Sequence, residues 1–203
     1  MGISPRDFAQ LQARLASPRR GADGEAASLR PRPGRRAEVV ILGVDPSLRG
    51  TGFGVIRAGA GAPVMLACGT IACPPAWERS RCLARIAGTL REVVTAQQPT
   101  VAAVEGLFHA QNLRTALIMG EARGAALAVL AEAGLEIFEL APRKVKQAIV
   151  GYGAAQKLAV AKMVQRMLNL AELPAPDAAD ALALALAYAH ETGRVGLGGP
   201  KRI

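Results

Sequence analysis

The chain predicts an α/β domain built on a mixed sheet, and three observations carry that reading. Val39-Val40-Ile41-Leu42-Gly43-Val44 is a nearly continuous apolar run with the β-branched content of a strand covered on both faces. Further along, short apolar runs alternate with helical patterns, the arrangement that parallel strands with helical crossovers require. At 203 residues and 51% hydrophobic composition, there is apolar material to cover one such sheet on both sides.

Taken in order, the sheet starts with the strand 39–44. Gly50-Thr51-Gly52 reads as a turn, Phe53 to Arg57 as a returning strand and Val64 to Ile71 as a third, giving an antiparallel meander. Trp77 to Gln97 follows as an amphipathic helix, with Trp77, Leu83, Ile86, Leu90 and Val94 near helical spacing, and Pro99 stops it. Val101 to Glu105 is a short buried strand, Asn112 to Ala133 a long helix closed by Gly134, and Glu136 to Leu140 the last strand. Helices are expected from Pro142 to about Gly151, from Ala154 to Leu170 and from Asp177 to His190. Three antiparallel strands, then helix, strand, helix, strand and closing helices is the order of a ribonuclease H-like fold. Its sheet would be five-stranded and mixed, three antiparallel strands followed by two parallel ones, flanked by helices.

Residues 1–38 hold eight basic and four acidic residues and one large aromatic, Phe8. A segment so poor in apolar surface reads as a disordered basic arm, or as the product of a misassigned translation start. The organisation expected is this arm, a folded domain over residues 39–192, and a Gly-rich flexible tail over 193–203. The folded part has 17 basic and 12 acidic residues, so it is cationic by itself within a chain of net charge +9. Such a surface is drawn to polyanions, nucleic acid foremost. Uncharged runs such as 181–189 fall short of the roughly 20 residues that cross a bilayer. With no secretory segment either, a soluble cytoplasmic protein without a membrane partner is expected. Cys68, Cys73 and Cys82 form neither a CxxC pair nor a zinc spacing and read as reduced structural thiols.

Four carboxylates carry the chemistry. Asp45 and Glu105 each end an apolar strand, where a sheet holds side chains rigidly while loops open the site to solvent. Asp45 could equally serve the turn that Asp-Pro-Ser-Leu-Arg-Gly favours. Glu105, directly after Val-Ala-Ala-Val, should be half-buried, and a buried charge needs a metal or a basic partner. Asp177 and Asp180 stand three apart at a helix start and so share one face. Helix capping explains one of them, whereas Asp180 borders the run Ala-Leu-Ala-Leu-Ala-Leu-Ala that must pack in the core. Four anions in one pocket repel, and hard divalent cations with oxygen ligands relieve the repulsion. The pattern therefore reads as a two-ion phosphodiester hydrolase leaving 5′-phosphate and 3′-hydroxyl ends.

Lys146 and Lys157, with Arg143 and Lys144 nearby, lie between the last strand and the aspartate pair and suit phosphate contact, although solvated helix faces would look the same. Phe108, one of seven aromatics, follows Glu105 by three residues; stacking on an unpaired base and a core role both fit. Arg114, at the start of the long helix, is a further DNA-contact candidate. His109 and His190 have no nucleophile to serve. Gly50, Gly52 and Gly54 do not precede a helix, which speaks against a phosphate loop.

Ile-Leu-Gly-Val-Asp-Pro-Ser-Leu-Arg-Gly-Thr-Gly-Phe-Gly-Val-Ile, Val-Glu-Gly-Leu-Phe, Gly-Glu-Ala-Arg-Gly and Asp-Ala-Ala-Asp-Ala-Leu-Ala, in this order from about Val39 to Tyr188, resemble the RuvC family of Holliday junction resolvases. The resemblance implies that Asp45, Glu105, Asp177 and Asp180 are the metal-binding catalytic acids. It further implies that Lys146 and Lys157 assist at the junction and that Phe108 stacks on a base near the crossover. Mg²⁺ is the implied ion, with Mn²⁺ able to substitute and two ions per site when substrate is bound. The implied partners are four-way junction DNA, a second copy of the chain, and the RuvA and RuvB branch-migration complex, with a nucleoid-associated location. The chain departs from the family pattern at Ser47-Leu48, where Gly-Ser is frequent, and at Gly106, where Gln is frequent. Both departures bear on sequence preference more than on activity.

Three rival readings fit the sequence less well. A sugar kinase or actin-like ATPase needs a second such domain, for which 203 residues leave no room. An inactive junction-binding protein gains nothing from four carboxylates. Another ribonuclease H-like nuclease, cutting RNA–DNA hybrids, is disfavoured by the segment around Phe108 and by the Asp177–Asp180 pair.

Overall fold

The computed structural model describes residues 37–106, 112–192 and 200–203. Its six strands lie in the order β3-β2-β1-β4-β5-β6. β1 (Val39–Asp45), β2 (Gly50–Ala58) and β3 (Val64–Ala72) form the antiparallel meander. β4 (Val101–Glu105) joins β1 in parallel and β5 (Glu136–Leu140) joins β4 in parallel, each reached through a helix: α1 (Arg79–Gln97) and α2 (Leu113–Glu132). α3 (Pro142–Val150), α4 (Lys157–Met167) and α5 (Pro176–Thr192) complete the chain's helices among the described residues.

The two-residue alternation of a strand divides the core into two layers. Leu42, Val44, Ala102 and Val104 face α1 and α2, together with Ile86, Leu90, Val129 and Leu130. Ile41, Val101 and Ala103 face the other side, where Val145, Ile149, Val160, Val164 and the length of α5 pack. α5 is buried from Ala178 to Tyr188 on nearly every side, because it is enclosed between the sheet and the α3–α4 pair.

Two glycines explain how close α5 lies. A Cβ on Gly43 would stand 1.9 Å from the carbonyl oxygen of Ala181, and one on Gly52 would stand 2.0 Å from that of Asp177. Any side chain at either position would push the helix off the sheet. The alanines of α5 meet these glycines, and the first turn of the helix is thereby set beside the end of β1.

The structure corrects several expectations. Gly50, Thr51 and Gly52 belong to β2, and the turn lies earlier, between Asp45 and Gly50. The fully buried Thr51 hydroxyl closes that turn by donating to the Ser47 carbonyl (2.6 Å) and accepting from the Ser47 amide (3.1 Å). The sheet has six strands where five were expected. The sixth, β6 (Lys201–Arg202), lies in the tail expected to be flexible. It pairs with the open edge of β5, where Arg202 meets Glu136 at 2.8 Å and the Ile203 amide donates to the Ile137 carbonyl. α4 begins at Lys157, three residues later than expected, since Gln156 is extended and resets the chain direction. α1 likewise starts at Arg79, after a turn in which the Trp77 amide donates to the Pro74 carbonyl. All three cysteines are free thiols.

Candidate active site

Asp45 and Glu105 are the last residues of two adjacent parallel strands, so their side chains emerge side by side at one end of the sheet. α5 runs across that end and contributes Asp180, with Asp177 one turn earlier. A cleft of about 240 Å³ is lined by Asp45, Glu105 and Asp180, by Lys146 of α3 and Lys157 of α4, and by the apolar Val145, Val160 and Leu184. Asp177 is not among the residues lining the cleft; its carboxylate lies beside Gly50, close enough that its charge acts on Asp45.

The electrostatics follow from crowding acids in a half-buried place. Burial, then the negative charge of Asp45 and a hydrogen bond with it, hold the Glu105 carboxyl up at about 8, from 4.5 for the free group. The Asp45 carboxyl is also raised by burial, less so because its hydrogen bond with Glu105 favours its ionised form. Of the two, Glu105 is the carboxyl pushed further toward its protonated form. Lys157 supplies the other counter-charge: its Nζ donates to Asp180 Oδ2 at 2.7 Å, and that bond raises the ammonium's own pKa. Three-quarters of the Lys157 side chain remains exposed, which leaves the ammonium free to face an incoming anion.

A divalent cation fits this donor set. Every ligand candidate is a carboxylate oxygen, which suits a hard ion, and the Lys157 ammonium drawn onto Asp180 together with the upward push on the Glu105 carboxyl marks a cluster that favours added positive charge. Among the described residues, no three of Asp, Glu, His and Cys are already drawn together as a chelating set. A cation would thus displace a proton and an ammonium as it draws the acids in.

The structure brings together Asp45, Glu105, Asp180, Lys146 and Lys157 in one cleft and leaves Asp177 outside its lining, one turn before Asp180 on α5. It places the other candidates elsewhere. Lys144 lines a separate cleft with Gln147, Ala148, His190 and Glu191. Arg143 is exposed, with its stem over Gly153, and Arg114 is exposed at the start of α2. Phe108 lies outside the described residues.

Two arginines emerge that sequence reasoning passed over. Arg49 Nη1 donates to the carbonyls of Pro74 (2.6 Å) and Trp77 (3.0 Å) and to Cys82 Sγ (3.2 Å), fastening the turn after Asp45 to the start of α1. Arg123, on α2, donates from Nε to the Glu105 carbonyl at 3.3 Å and forms an ion pair with Glu139. The available signal was a lone arginine in the otherwise apolar stretch Ala-Arg-Gly-Ala-Ala-Leu-Ala.

Residues 41–188 match the family model described as crossover junction endodeoxyribonuclease RuvC. The chain belongs to the RuvC family. A crossover junction endodeoxyribonuclease RuvC of Bordetella parapertussis is 47% identical over 150 residues, covering 74% of this chain and 82% of the relative. The Acinetobacter baylyi RuvC is 44% identical over 154 residues, covering 76% and 84%. Among solved structures, T. thermophilus RuvC in complex with Holliday junction substrate is 35% identical, with a TM-score of 0.74, and covers 81% of this chain and 99% of that one. The enzyme class is thus that of a RuvC endodeoxyribonuclease, on the ribonuclease H-like sheet expected from the order of its elements. The family model begins and ends inside the span Val39 to Tyr188 over which the motifs were matched.

Proposed function

We propose that the chain resolves four-way DNA junctions by symmetric, divalent-metal-dependent nicking, with Asp45, Glu105, Asp177 and Asp180 holding Mg²⁺, or Mn²⁺ in its place, as two ions when substrate is bound. The observation that carries this is the meeting of Asp45, Glu105 and Asp180 with Lys146 and Lys157 in one cleft at the strand ends. Bound divalent ions would neutralise the acids and stabilise the attacking and leaving oxygens of the phosphodiester. The chain's own residues do the rest. Glu105 gives up its proton as the ions enter, Lys157 exchanges Asp180 for a phosphate oxygen, and Lys146 meets the same strand from α3. The rigid ends of β1 and β4 would hold the acids as ligands for the ions, and hydrolysis would leave 5′-phosphate and 3′-hydroxyl ends.

Charge supports a DNA track across α3 and α4. Residues 141–171 contain Arg143, Lys144, Lys146, Lys157, Lys162 and Arg166 and no acidic residue. Arg143 and Lys144, though outside the cleft, contact the backbone of the arm leaving it, and Arg114 does so from α2. Phe108, between Glu105 and α2 in sequence, stacks on a base opened at the crossover.

A homodimer brings two such sites to a two-fold substrate. α2 supports it: Leu113 (77% exposed) and Leu117 (58%) continue through Gly120, Gly124, Ala128 and Ala131 as one apolar face, opposite the one packed on the sheet. Gly120 and Gly124 have open space where a Cβ would stand, as close helix approach by a second copy requires. The RuvA and RuvB complex is the partner that the family resemblance implies, and the site of action is the cytoplasmic nucleoid. No helix among the described residues is long and apolar enough to cross a membrane. Residues 1–38, with eight basic residues against four acidic, would add a further attraction to the DNA backbone.

The test is nicking of a synthetic four-way junction and of linear duplex, each with Mg²⁺. Paired nicks of like polarity in the junction, with duplex left intact, are expected; equal cutting of both would overturn the reading.

A further inference from the structure

We propose that Arg123 is a positioning residue for Glu105, fixing the end of β4 so that the Glu105 carboxylate is held where a metal ion needs it. The inference rests on Glu105 being a metal ligand. Its structural basis is the way β4 ends. The ladder between β1 and β4 runs from Ile41–Val101 to Val44–Val104 and stops there, and the residue that follows Asp45 is Pro46, which has no N–H to offer the Glu105 carbonyl. On the other side, Gly106 N donates to the Leu140 carbonyl, which ties down the following residue. The Glu105 carbonyl itself receives Arg123 Nε at 3.3 Å.

The guanidinium does more than cap a strand. Its Nη2 pairs with Glu139 Oε2, and the side chains are only 13% and 21% exposed. One planar group therefore joins α2, the catalytic end of β4, and β5 just before the chain turns into α3 with Lys146. Arginine suits this role because its fork presents several donors in fixed directions, which lysine cannot do. A half-buried charge on a helix of small apolar residues has a desolvation cost that an aliphatic side chain would avoid. Anchoring a ligand-bearing strand end accounts for it, since groups behind metal ligands set their orientation.

Arg123 also lies on α2 between Gly120 and Gly124, the small residues of its exposed apolar face. Whatever covers that face therefore bears on the helix that holds Glu105.

The test uses the full chain and reads metal binding directly. Mn²⁺ affinity is measured by electron paramagnetic resonance in the absence of DNA, alongside the Mg²⁺ dependence of junction nicking and junction binding without divalent ions. Arg123→Lys keeps a cation near Glu139 and loses the fork. It is expected to weaken Mn²⁺ binding about tenfold and to raise the Mg²⁺ concentration for half-maximal nicking similarly, with junction binding unchanged. Glu139→Gln, which keeps the Nε bond and releases the other end of the guanidinium, is expected to shift both in the same direction by less. Arg91→Gln, on α1, breaks an exposed 3.1 Å ion pair with Glu132 at the end of α2 and is expected to shift neither.

Wild-type Mn²⁺ affinity in folded Arg123→Lys would overturn the proposal, as would an equal loss in Arg91→Gln. If Arg123→Lys fails to fold, unchanged affinity in Glu139→Gln overturns it. Glu105→Gln separates this from the parent reading: should that variant bind Mn²⁺ as tightly as wild type, the metal site itself is misassigned.

Discussion

Replacing Glu105 by glutamine should stabilise the metal-free protein while destroying its activity. The carboxyl is held at about 8 by burial and by Asp45, against 4.5 for the free group. Between those values the folded protein keeps a proton that the unfolded chain has already released. Stability of the metal-free form therefore falls as pH rises through this window, and the full penalty is present above pH 8. A factor of ten in proton affinity is worth about 1.4 kcal/mol, so the ionised Glu105 costs the fold up to about 5 kcal/mol at pH 9. Glutamine keeps the shape and a donor for Asp45 without the charge. In EDTA at pH 9, Glu105→Gln should melt roughly 10–20 °C above wild type, taking about 2–4 °C per kcal/mol for a domain of this size. At pH 4.5, where wild-type Glu105 is protonated in the fold, the gap should close. Mg²⁺ should also close it at pH 9, by stabilising wild type more than the variant. Scanning calorimetry across pH with and without Mg²⁺ makes the measurement. A variant less stable than wild type at pH 9 in EDTA would refute the account of Glu105 as a carboxylate held against its charge.

Further outcomes follow from the same contacts. Gly52→Ala places a Cβ 2.0 Å from the Asp177 carbonyl, so α5 must shift; denaturant melts should show a loss of about 3 kcal/mol. Because the shift carries Asp177 and Asp180 with it, junction nicking should fall on the order of 100-fold. Thr51→Val removes both hydroxyl bonds to Ser47 and should cost about 2 kcal/mol in the same melts, with unaltered activity in the folded fraction arguing against a role for the turn in placing Asp45. Lys157→Ala should lower the single-turnover nicking rate on the order of 100-fold with junction binding retained, and an unchanged rate would reduce Lys157 to a solvated helix terminus. Leu117→Arg, on the exposed face of α2, should convert a dimer to monomer in sedimentation, and an unchanged sedimentation coefficient would move the interface elsewhere.

Much of this was legible because the strand signals are strong. The run Val39–Val44 is buried on both faces, and Val101–Glu105 and Glu136–Leu140 are strands over the very residues expected. Asp45 and Glu105 could be set at strand ends from these runs alone. Elsewhere the local signal misled. Gly50-Thr51-Gly52 resembles a turn by composition, yet its glycines are small so that α5 can approach, a tertiary demand that no local pattern encodes. β6 was invisible for the related reason that two basic residues in a Gly-rich tail form a strand only because β5 offers an open edge and an acidic partner, Glu136. Arg123 sat in view within a matched motif, but its partners, the Glu105 carbonyl and Glu139, are 18 and 16 residues away and come together only when β4, α2 and β5 are folded side by side.

The same geometry shows why the site can hold so much negative charge and still fold. Glu105 stays protonated, Asp180 is paired with Lys157, and the positive charge of α3 and α4 lies alongside with no acid of its own. Each of these neutralising elements is exchangeable. A proton leaves above about pH 8, and an exposed ammonium can turn to another anion. Substituting a permanent one, such as a lysine at Glu105, would compensate the cluster more firmly and leave no vacancy for a divalent ion. If these acids hold a cation as proposed, they have to be balanced by groups that can depart, and stability is given up at alkaline pH, in the absence of metal, in exchange for a cleft open to a cation and a phosphate.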